Sequence, residues 1–127
     1  MEHQLPVMPH DHGNQNLLNY LPGKDICAIT ADVFKQLSDG SRLQIFWLLC
    51  HSEECVINIA TAVNMSAPAV SHHLRFMKQA GLIVSRRDGK EVYYTLAATS
   101  EAILVHQMVD QLLQTKCPEG REYVHTQ

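Results

Sequence analysis

Two short helical segments, followed at once by a hairpin signal, constrain the fold of this chain more than any other sequence feature. Residues 56–63 have the apolar pattern of a short helix, and Asn64 follows where a left-handed residue commonly ends a helix. Ser66 is a favoured N-terminal cap for a second helix over residues 67–80, in which a proline suits the first turn. An Asp-Gly-Lys turn at residues 88–90 then separates two β-rich runs, which predicts a two-stranded hairpin.

The rest of the chain predicts three more helices. A 3.6-residue apolar period indicates the first over residues 25–37, and nearly continuous apolar side chains over 43–49 make the second the central core element. The last helix begins at Thr99 or Ser100 and closes at residues 117–118, a Cys-Pro pair. The predicted order is α-α-α-α-β-β-α, an α+β, mostly helical fold that contains a helix-turn-helix with a wing.

Several function classes are excluded by what the sequence lacks. The longest apolar run, residues 45–50, is too short to span a bilayer, and the N-terminus lacks the pattern of a secretory signal. The four cysteines form no Cys-x-x-Cys pair, and the common phosphate-binding, dinucleotide-binding and catalytic motifs are absent. We therefore expect a cytoplasmic protein that is neither a membrane protein nor an enzyme.

The charges of this acidic chain are unevenly distributed. The net charge is −3, yet five of the ten basic residues lie within residues 66–94, where only two acidic residues accompany them. This basic segment coincides with the second helix of the pair and with the hairpin. An acidic protein with one basic segment can bind a polyanion such as double-stranded DNA through that segment.

The second helix of the pair has a polar face suited to reading DNA. If Val70 is at the centre of its inner face, with Leu74 and Met77 beside it, hydroxyl, imidazole and basic side chains occupy the opposite face. Such groups read base edges and hold phosphates. The predicted DNA contacts of the helix and the wing are Ser66, Pro68, Ser71, His72, Arg75, Lys78, Arg86, Arg87 and Lys90. The alternative interpretation is a solvated face and a solubilising hairpin edge, and His73 is predicted to be a structural histidine.

Three segments resemble the ArsR/SmtB family of bacterial winged-helix repressors. They are Leu-Ser-Asp-Gly-Ser-Arg at 37–42, Ser-Ala-Pro-Ala-Val-Ser-His-His-Leu-Arg at 66–75 and Gly-Lys-Glu-Val-Tyr-Tyr-Thr-Leu at 89–96, and the resemblance extends over about residues 27–114. The resemblance implies a homodimer built on the first and last helices. It also implies an operator with two-fold symmetry, from which the protein is released when an effector binds.

The resemblance also suggests where an effector binds. Members of the family often bind a metal ion at Glu-Leu-Cys-Val-Cys-Asp-Leu, at the start of the third helix, and residues 53–59 match this motif in part. Cys55 retains the first cysteine, whereas Ile57 replaces the second and Asn58 replaces the aspartate. The alternative interpretation of Cys55 is a small buried residue without a ligand.

Further metal ligands come from the N-terminal arm in the family, and this arm offers His10, His12 and Cys27. A thiolate with imidazoles suits Zn²⁺ or a softer thiophilic ion, which is the predicted cofactor. A second family site lies on the last helix, but the matching positions are Ala98 and Ser100, followed by two glutamines. We therefore expect the last-helix site to be absent.

Thiol chemistry is the rival interpretation of the effector. Cys27, Cys55 and Cys117 could be oxidised or paired in a redox-sensing repressor of the same fold. A rival from another class is a winged helix that binds a protein instead of DNA, which would be expected to have a neutral recognition helix and wing.

The sequence thus predicts a DNA-binding transcriptional repressor that is released by an effector, with a metal ion as the first candidate. Residues 1–23 form a flexible arm with a short helical piece around 17–20. Residues 24–115 form the winged-helix domain for DNA binding and dimerisation, and residues 116–127 form a polar C-terminal tail.

Overall fold

A computed structural model of the protein describes residues 6–10 and 12–114. The predicted C-terminal tail and Cys117 lie outside the described residues. A short 3₁₀ helix is followed by five α-helices and three β-strands. They are the 3₁₀ helix Gln15–Tyr20, α1 Lys24–Gln36, α2 Gly40–His51, β1 Glu54–Cys55, α3 Val56–Val63, α4 Ala67–Gln79, β2 Ile83–Asp88, β3 Glu91–Leu96 and α5 Ser100–Leu113. The predicted α+β winged helix-turn-helix is confirmed.

The described residues form two compact units, divided between Ala31 and Asp32. In the first unit, the Gln15 side chain holds the segment before the 3₁₀ helix, since its Nε2 donates to the Pro6 carbonyl at 3.0 Å and its Oε1 accepts from the Met8 amide at 3.2 Å. The second unit contains the helix-turn-helix and the sheet. The three-part division expected from the sequence stays a prediction.

The helix boundaries follow from local capping chemistry. The Asp39 carboxylate accepts from the Arg42 amide at 2.9 Å and starts α2, while the Thr99 hydroxyl accepts from the Ala102 amide at 3.1 Å and starts α5. Asn64 ends α3 in the left-handed conformation that its position predicts, with φ of 56°. The predicted close of the last helix at the Cys-Pro pair is wrong, because Gln114 turns left-handed and ends α5 first.

The sheet differs from the predicted hairpin by one strand. Strand β3 pairs antiparallel with β2 on one side and with β1 on the other. Gly89, with φ of +65°, and Lys90 form a two-residue connection between the paired Asp88 and Glu91. The sequence did not predict β1, because two residues are too few to show an alternating pattern.

The core of the second unit is centred on α2, as its continuous apolar pattern predicts. The largest fully buried apolar side chains come from α2, α3, α4 and the start of the hairpin. They include Ile45, Phe46, Leu49, Ile59, Val70, Leu74, Met77, Leu82 and Ile83. None of the helices in the described ranges has the length and apolar character that crossing a bilayer requires.

Candidate nucleic-acid interface and effector residues

The inner face of α4 fixes the rotation of this helix. Val70, Leu74 and Met77 are buried at intervals of four and three residues, which is the spacing of one helical face. The Ser66 hydroxyl accepts from the Ala69 amide at 3.3 Å and sets the start of the helix, as the sequence predicts. The polar side chains between the buried positions must therefore face outward.

The predicted DNA contacts of α4 are all exposed. They are Ser66, Pro68, Ser71, His72, Arg75 and Lys78. Their positions fit the predicted role, and the role itself stays a prediction. The face presents two hydroxyl groups, an imidazole and two cations, which together offer donors to base edges and to phosphates.

An aromatic ring supports the two central side chains of this face. The guanidinium carbon of Arg75 lies 5.2 Å from the centre of the Phe76 ring, and the His72 ring meets Phe76 edge-on at 4.7 Å. An Arg75 nitrogen also approaches His72 Nδ1 to 3.5 Å. Cation–π and edge-to-face contacts restrict both side chains, so less conformational entropy is lost when they meet a ligand.

Lys78 connects the helix to the base of the wing. Lys78 belongs to α4, and its Nζ donates to the hydroxyl of Ser85 in strand β2 at 2.7 Å. The contact places the cation between α4 and the hairpin.

Arg86, in strand β2 of the wing, pairs with two carboxylates. Its Nε and NH2 donate to the two carboxylate oxygens of Glu53 at 2.8 and 2.7 Å, and its guanidinium carbon lies 5.0 Å from the Tyr93 ring centre. This paired hydrogen bond holds the pKa of Glu53 below its usual value and raises the pKa of Arg86. A more distant contact, 3.9 Å, joins Arg86 to Asp88. Arg86 is therefore the least available of the predicted wing contacts.

Arg87 and Lys90 are exposed at the end of the hairpin. In the part of the chain that the structure describes, no carboxylate lies within 4.0 Å of either cation. The pairing of Arg87 with Val92 places it next to the two-residue connection that contains Lys90. These two side chains are the ones best placed to reach a phosphate backbone.

His73 has the environment expected of a structural histidine. Arg42 NH1 donates to its Nδ1 at 3.2 Å, and Arg42 Nε donates to the Gln36 carbonyl at 2.7 Å. Because arginine is always a donor, Nδ1 must be the acceptor, and the ring carries its proton on Nε2. Burial, followed by the charge of Arg42, lowers the pKa of His73.

Cys55 lies at the junction of the sheet and the helix pair. It ends β1 opposite Tyr93, is half-buried, and occupies the position immediately before α3. Ile57, which replaces the second family cysteine, is 66% exposed. The Asn58 amide, which replaces the family aspartate, donates to Glu54 Oε1 at 3.1 Å. This stretch therefore presents one thiol near the surface.

The other predicted metal ligands lie in the first compact unit. The rings of His10 and His12 stack with their centres 6.2 Å apart. Cys27 is exposed on α1, where its Sγ approaches the Pro22 carbonyl to 3.9 Å. Cys55 belongs to the second unit, and the four-residue metal site stays a prediction.

A further group of possible metal ligands was missed by the sequence reasoning. His51, His106 and Asp110 come together in the second unit with their ligand atoms within 4.8 Å of one another. The sequence offered only a partial signal, since His106 and Asp110 are four residues apart on one helix. His51 is 55 residues from His106, so this approach depends on tertiary packing.

The fold, the exposed basic helix and the adjoining wing define a winged helix-turn-helix protein. The sequence profile described as "Bacterial regulatory protein, arsR family" matches residues 39–85, which extend from the start of α2 into the wing. The chain belongs to the ArsR family of bacterial regulatory proteins, and the predicted resemblance is confirmed.

Curated relatives agree with this assignment. The chain is 38% identical over 85 residues to a transcriptional repressor SmtB homolog of Synechocystis, a match that covers 67% of this chain and 64% of that protein. It is 43% identical over 67 residues to a cadmium resistance regulatory protein CadC homolog of Staphylococcus aureus, covering 52% and 55%. It is 41% identical over 68 residues to the transcriptional repressor SdpR of Bacillus subtilis, covering 54% and 76%. The chain thus spans less than two thirds of the length of the first two proteins.

A solved structure shares the fold. It is the solution structure of the homodimeric winged helix-turn-helix DNA-binding domain Mb0332 of Mycobacterium bovis, a possible ArsR-family regulator. The likeness has a TM-score of 0.65 at 29% identity, and it covers 84% of this chain and 91% of that one.

The environment of His73 predicts a pH-dependent stability. Because its pKa is lower in the folded protein than in the unfolded chain, the unfolded state binds the extra proton, and stability is lost as pH falls below about 6.5. His73→Gln removes this contribution, so its free energy of unfolding should fall less steeply with acidity. Urea unfolding at a series of pH values measures the slope. His72→Gln, at the exposed neighbouring position, is the control for the loss of one imidazole from α4. Equal slopes in the wild type and in His73→Gln would contradict the lowered pKa assigned to His73.

Proposed function

We propose that the protein is a sequence-specific DNA-binding transcriptional repressor that acts as a homodimer and is released from its operator by a metal ion. The observation that carries the proposal is the exposed basic face of α4 beside a basic wing, in a chain whose net charge is negative. The Synechocystis and Bacillus relatives, both named as transcriptional repressors, support it. This is a binding function without a chemical reaction, and its place is the cytoplasm, where a bacterial operator lies.

In this proposal α4 enters the major groove and the wing lies over the backbone. Arg75 and His72 face the base edges, supported by the Phe76 ring. Arg87 and Lys90 contact phosphates from the hairpin end. Arg86 reaches a phosphate only by exchanging its carboxylate partner, so its net contribution to affinity is smaller.

The two kinds of contact predict different mutant phenotypes. Arg75→Ala should lower discrimination between operator and random DNA, by about 1–3 kcal/mol where the guanidinium makes two bonds to a guanine. Arg87→Ala should weaken binding to both duplexes alike and reduce the salt dependence of log K by about one. Fluorescence anisotropy over a range of salt concentrations measures both effects, using a duplex selected from a random library as the operator.

The wild-type protein is the control for the whole proposal. Equal affinity for the selected and the random duplex at physiological salt would contradict sequence-specific repression. A salt dependence that is unchanged in Arg87→Ala would show that the wing does not contact phosphate.

The proposed dimer is supported by apolar surface on α5. One side of the helix packs inward through Ala102, Ile103 and Val109, while Leu104 and Leu112 on the other side are 64% and 75% exposed. A separate apolar groove lies between α2 and the end of α5. It is lined by Gly40, Leu43, Gln44, Trp47 and Leu113. Exposed apolar side chains and grooves of this kind mark an interface, and the homodimeric state of the Mycobacterium bovis domain is consistent with a second copy as the occupant.

A two-fold dimer presents two recognition helices, so the operator should have two-fold symmetry with half-sites about one helical turn apart. The proposed dimer therefore unites the apolar surface and the DNA-reading face in one assembly. Loss of the dimer should weaken operator binding even if no DNA-facing residue changes, because the two half-sites are then bound independently.

Leu112→Glu tests this interface. The substitution places a charge on the exposed apolar side of α5, so it should yield a folded monomer with much weaker operator binding. Thr61→Glu adds the same charge at an exposed position of α3, away from the α5 surface, and should leave the dimer intact. Light scattering measures the mass of each variant, and a Leu112→Glu protein that stays dimeric would place the interface elsewhere.

The proposed effector is Zn²⁺ or a softer thiophilic ion with Cys55 as its anchor. The Staphylococcus relative, named as a cadmium resistance regulatory protein homolog, supports a metal ion as effector, and the half-buried Cys55 thiol supports this position. His10, His12 and Cys27 would supply the remaining ligands, and the thiolate and imidazole donors suit such ions. The family site on the last helix is not part of the proposal, because its matching positions lack ligating side chains.

Cys55→Ser tests the anchor. The variant should bind operator as the wild type does but should not release it on addition of Cd²⁺ or Zn²⁺, because the thiolate ligand is missing. Ser100→Ala, at a position of the last-helix site, should release DNA normally. Anisotropy of the DNA complex during metal titration gives the comparison, and normal release by Cys55→Ser would move the effector site to other residues.

A further inference from the structure

Two buried histidines and a carboxylate meet where α2 and α5 pack together. His51 is the last residue of α2, and its neighbours on α5 are His106 and Asp110, one helical turn apart. His51 is 8% exposed and His106 only 1% exposed. The Asp110 side chain is largely buried as well. Ionisable side chains are rarely buried to this extent unless they pair or coordinate an ion.

The distances between the three side chains match those between ligands of one metal ion. The two Nε2 atoms are 3.2 Å apart; Asp110 Oδ2 lies 2.9 Å from His106 Nε2, and the other oxygen, Oδ1, lies 3.7 Å from His51 Nε2. Ligand atoms about 2.0–2.1 Å from a tetrahedral ion are about 3.3 Å from one another. The distance between the two Nε2 atoms is close to this value, the two carboxylate contacts, made by different oxygens, lie on either side of it, and one ligand atom from each residue lies within 4.8 Å of the others.

We propose that His51, His106 and Asp110 form a binding site for a tetrahedral divalent transition-metal ion of the Zn²⁺ class. Two imidazole nitrogens and one carboxylate oxygen are an established zinc donor set, with water in the fourth position. The site joins the C-terminal end of α2 to the middle of α5. The site uses neither Cys55 nor any of the predicted DNA-contacting residues. The proposal of this site does not depend on whether the protein binds DNA.

The close approach of the two Nε2 atoms and the carboxylate suits a shared cation. A proton on His106 Nε2 is within hydrogen-bond distance of both Asp110 Oδ2 and His51 Nε2, so these two acceptors compete for it. Placing protons on both Nε2 atoms brings two N–H groups together at 3.2 Å. A cation between the three groups accepts a lone pair from each and neutralises the buried carboxylate.

The surrounding rings hold the imidazoles in place. The two histidine rings are 4.6 Å apart at an angle of 79°, and the Trp47 ring lies 4.6 Å from His51 on its own helix. Rings restrained by packing on two rigid helices keep their nitrogens converging, which lowers the entropic cost of binding an ion.

Co²⁺ binding to the Cys55→Ser protein tests the proposal, because this variant removes the thiol anchor proposed above. We expect one Co²⁺ per chain with the visible bands of a tetrahedral ion and without the near-ultraviolet sulfur-to-cobalt band that a thiolate ligand would give. Adding Asp110→Asn, which keeps the side-chain shape, or His106→Gln should weaken binding by more than about 100-fold, because losing even an outer-shell partner costs 10–100-fold. Glu101→Gln, at an exposed carboxylate of α5, is the matched control and should bind as before.

A second measurement does not depend on spectroscopy. Zn²⁺ should raise the Tm of the Cys55→Ser protein, since an ion bound only to the native state stabilises it, and should not raise that of Cys55→Ser/Asp110→Asn. Circular dichroism of the metal-free proteins establishes that each variant is folded. Failure of Cys55→Ser to bind Co²⁺, or undiminished binding after Asp110→Asn, would overturn the site. Neither result bears on operator recognition, which the metal-free proteins report separately.

Discussion

The burial of one face of α4 is the constraint on which the rest of the molecule depends. Val70, Leu74 and Met77 are inserted into the core centred on α2, and α4 also packs against α3 and β2. A helix buried along one stripe has a fixed rotation about its axis, so its remaining side chains face outward whatever their chemistry. The hydrophobic effect thus presents His72 and Arg75, although neither contributes to the core itself.

The basic side chains of the wing differ in how available they are to a ligand. Arg86 is neutralised by Glu53, whereas Arg87 and Lys90 extend beyond the pairing to the end of the wing. An ion pair at the base of the wing, and cations at its tip that meet no carboxylate among the described residues, concentrate positive potential where a backbone would lie. This arrangement explains how a chain with a net charge of −3 can present a surface for a polyanion.

Local sequence signals predicted most of the fold and the face of α4. The cap residues Asp39, Ser66 and Thr99 and the left-handed Asn64 act within one turn of the chain, so their roles can be read from the sequence. The prediction failed where the signal was too short, as in β1, or where a helix ended early, as at Gln114. The partner of a charged side chain is harder to predict, and the Glu53–Arg86 pair spans 33 residues.

The candidate metal ligands show that prediction from the sequence has the same limit for a binding site. Cys55 could be proposed from a motif, but His51 and His106 approach each other only because α2 and α5 pack. The sequence register left His106 outside the family site on the last helix and gave no reason to expect a histidine from α2 beside it. Buried polar side chains acquire their function from tertiary contacts, which a single sequence does not contain.

The two proposed ion sites would act on different parts of the same assembly. An ion at Cys55 lies where β1 pairs with β3 and where α3 begins, so it bears on the wing and the recognition helix within one subunit. An ion at His51, His106 and Asp110 fixes α5 against α2, so it bears on the helix that the proposed dimer uses and hence on the spacing of two half-sites. By linkage, either ion changes DNA affinity only to the extent that DNA changes the affinity for that ion. The free energy of each coupling therefore depends on whether operator binding distorts the wing or the dimer.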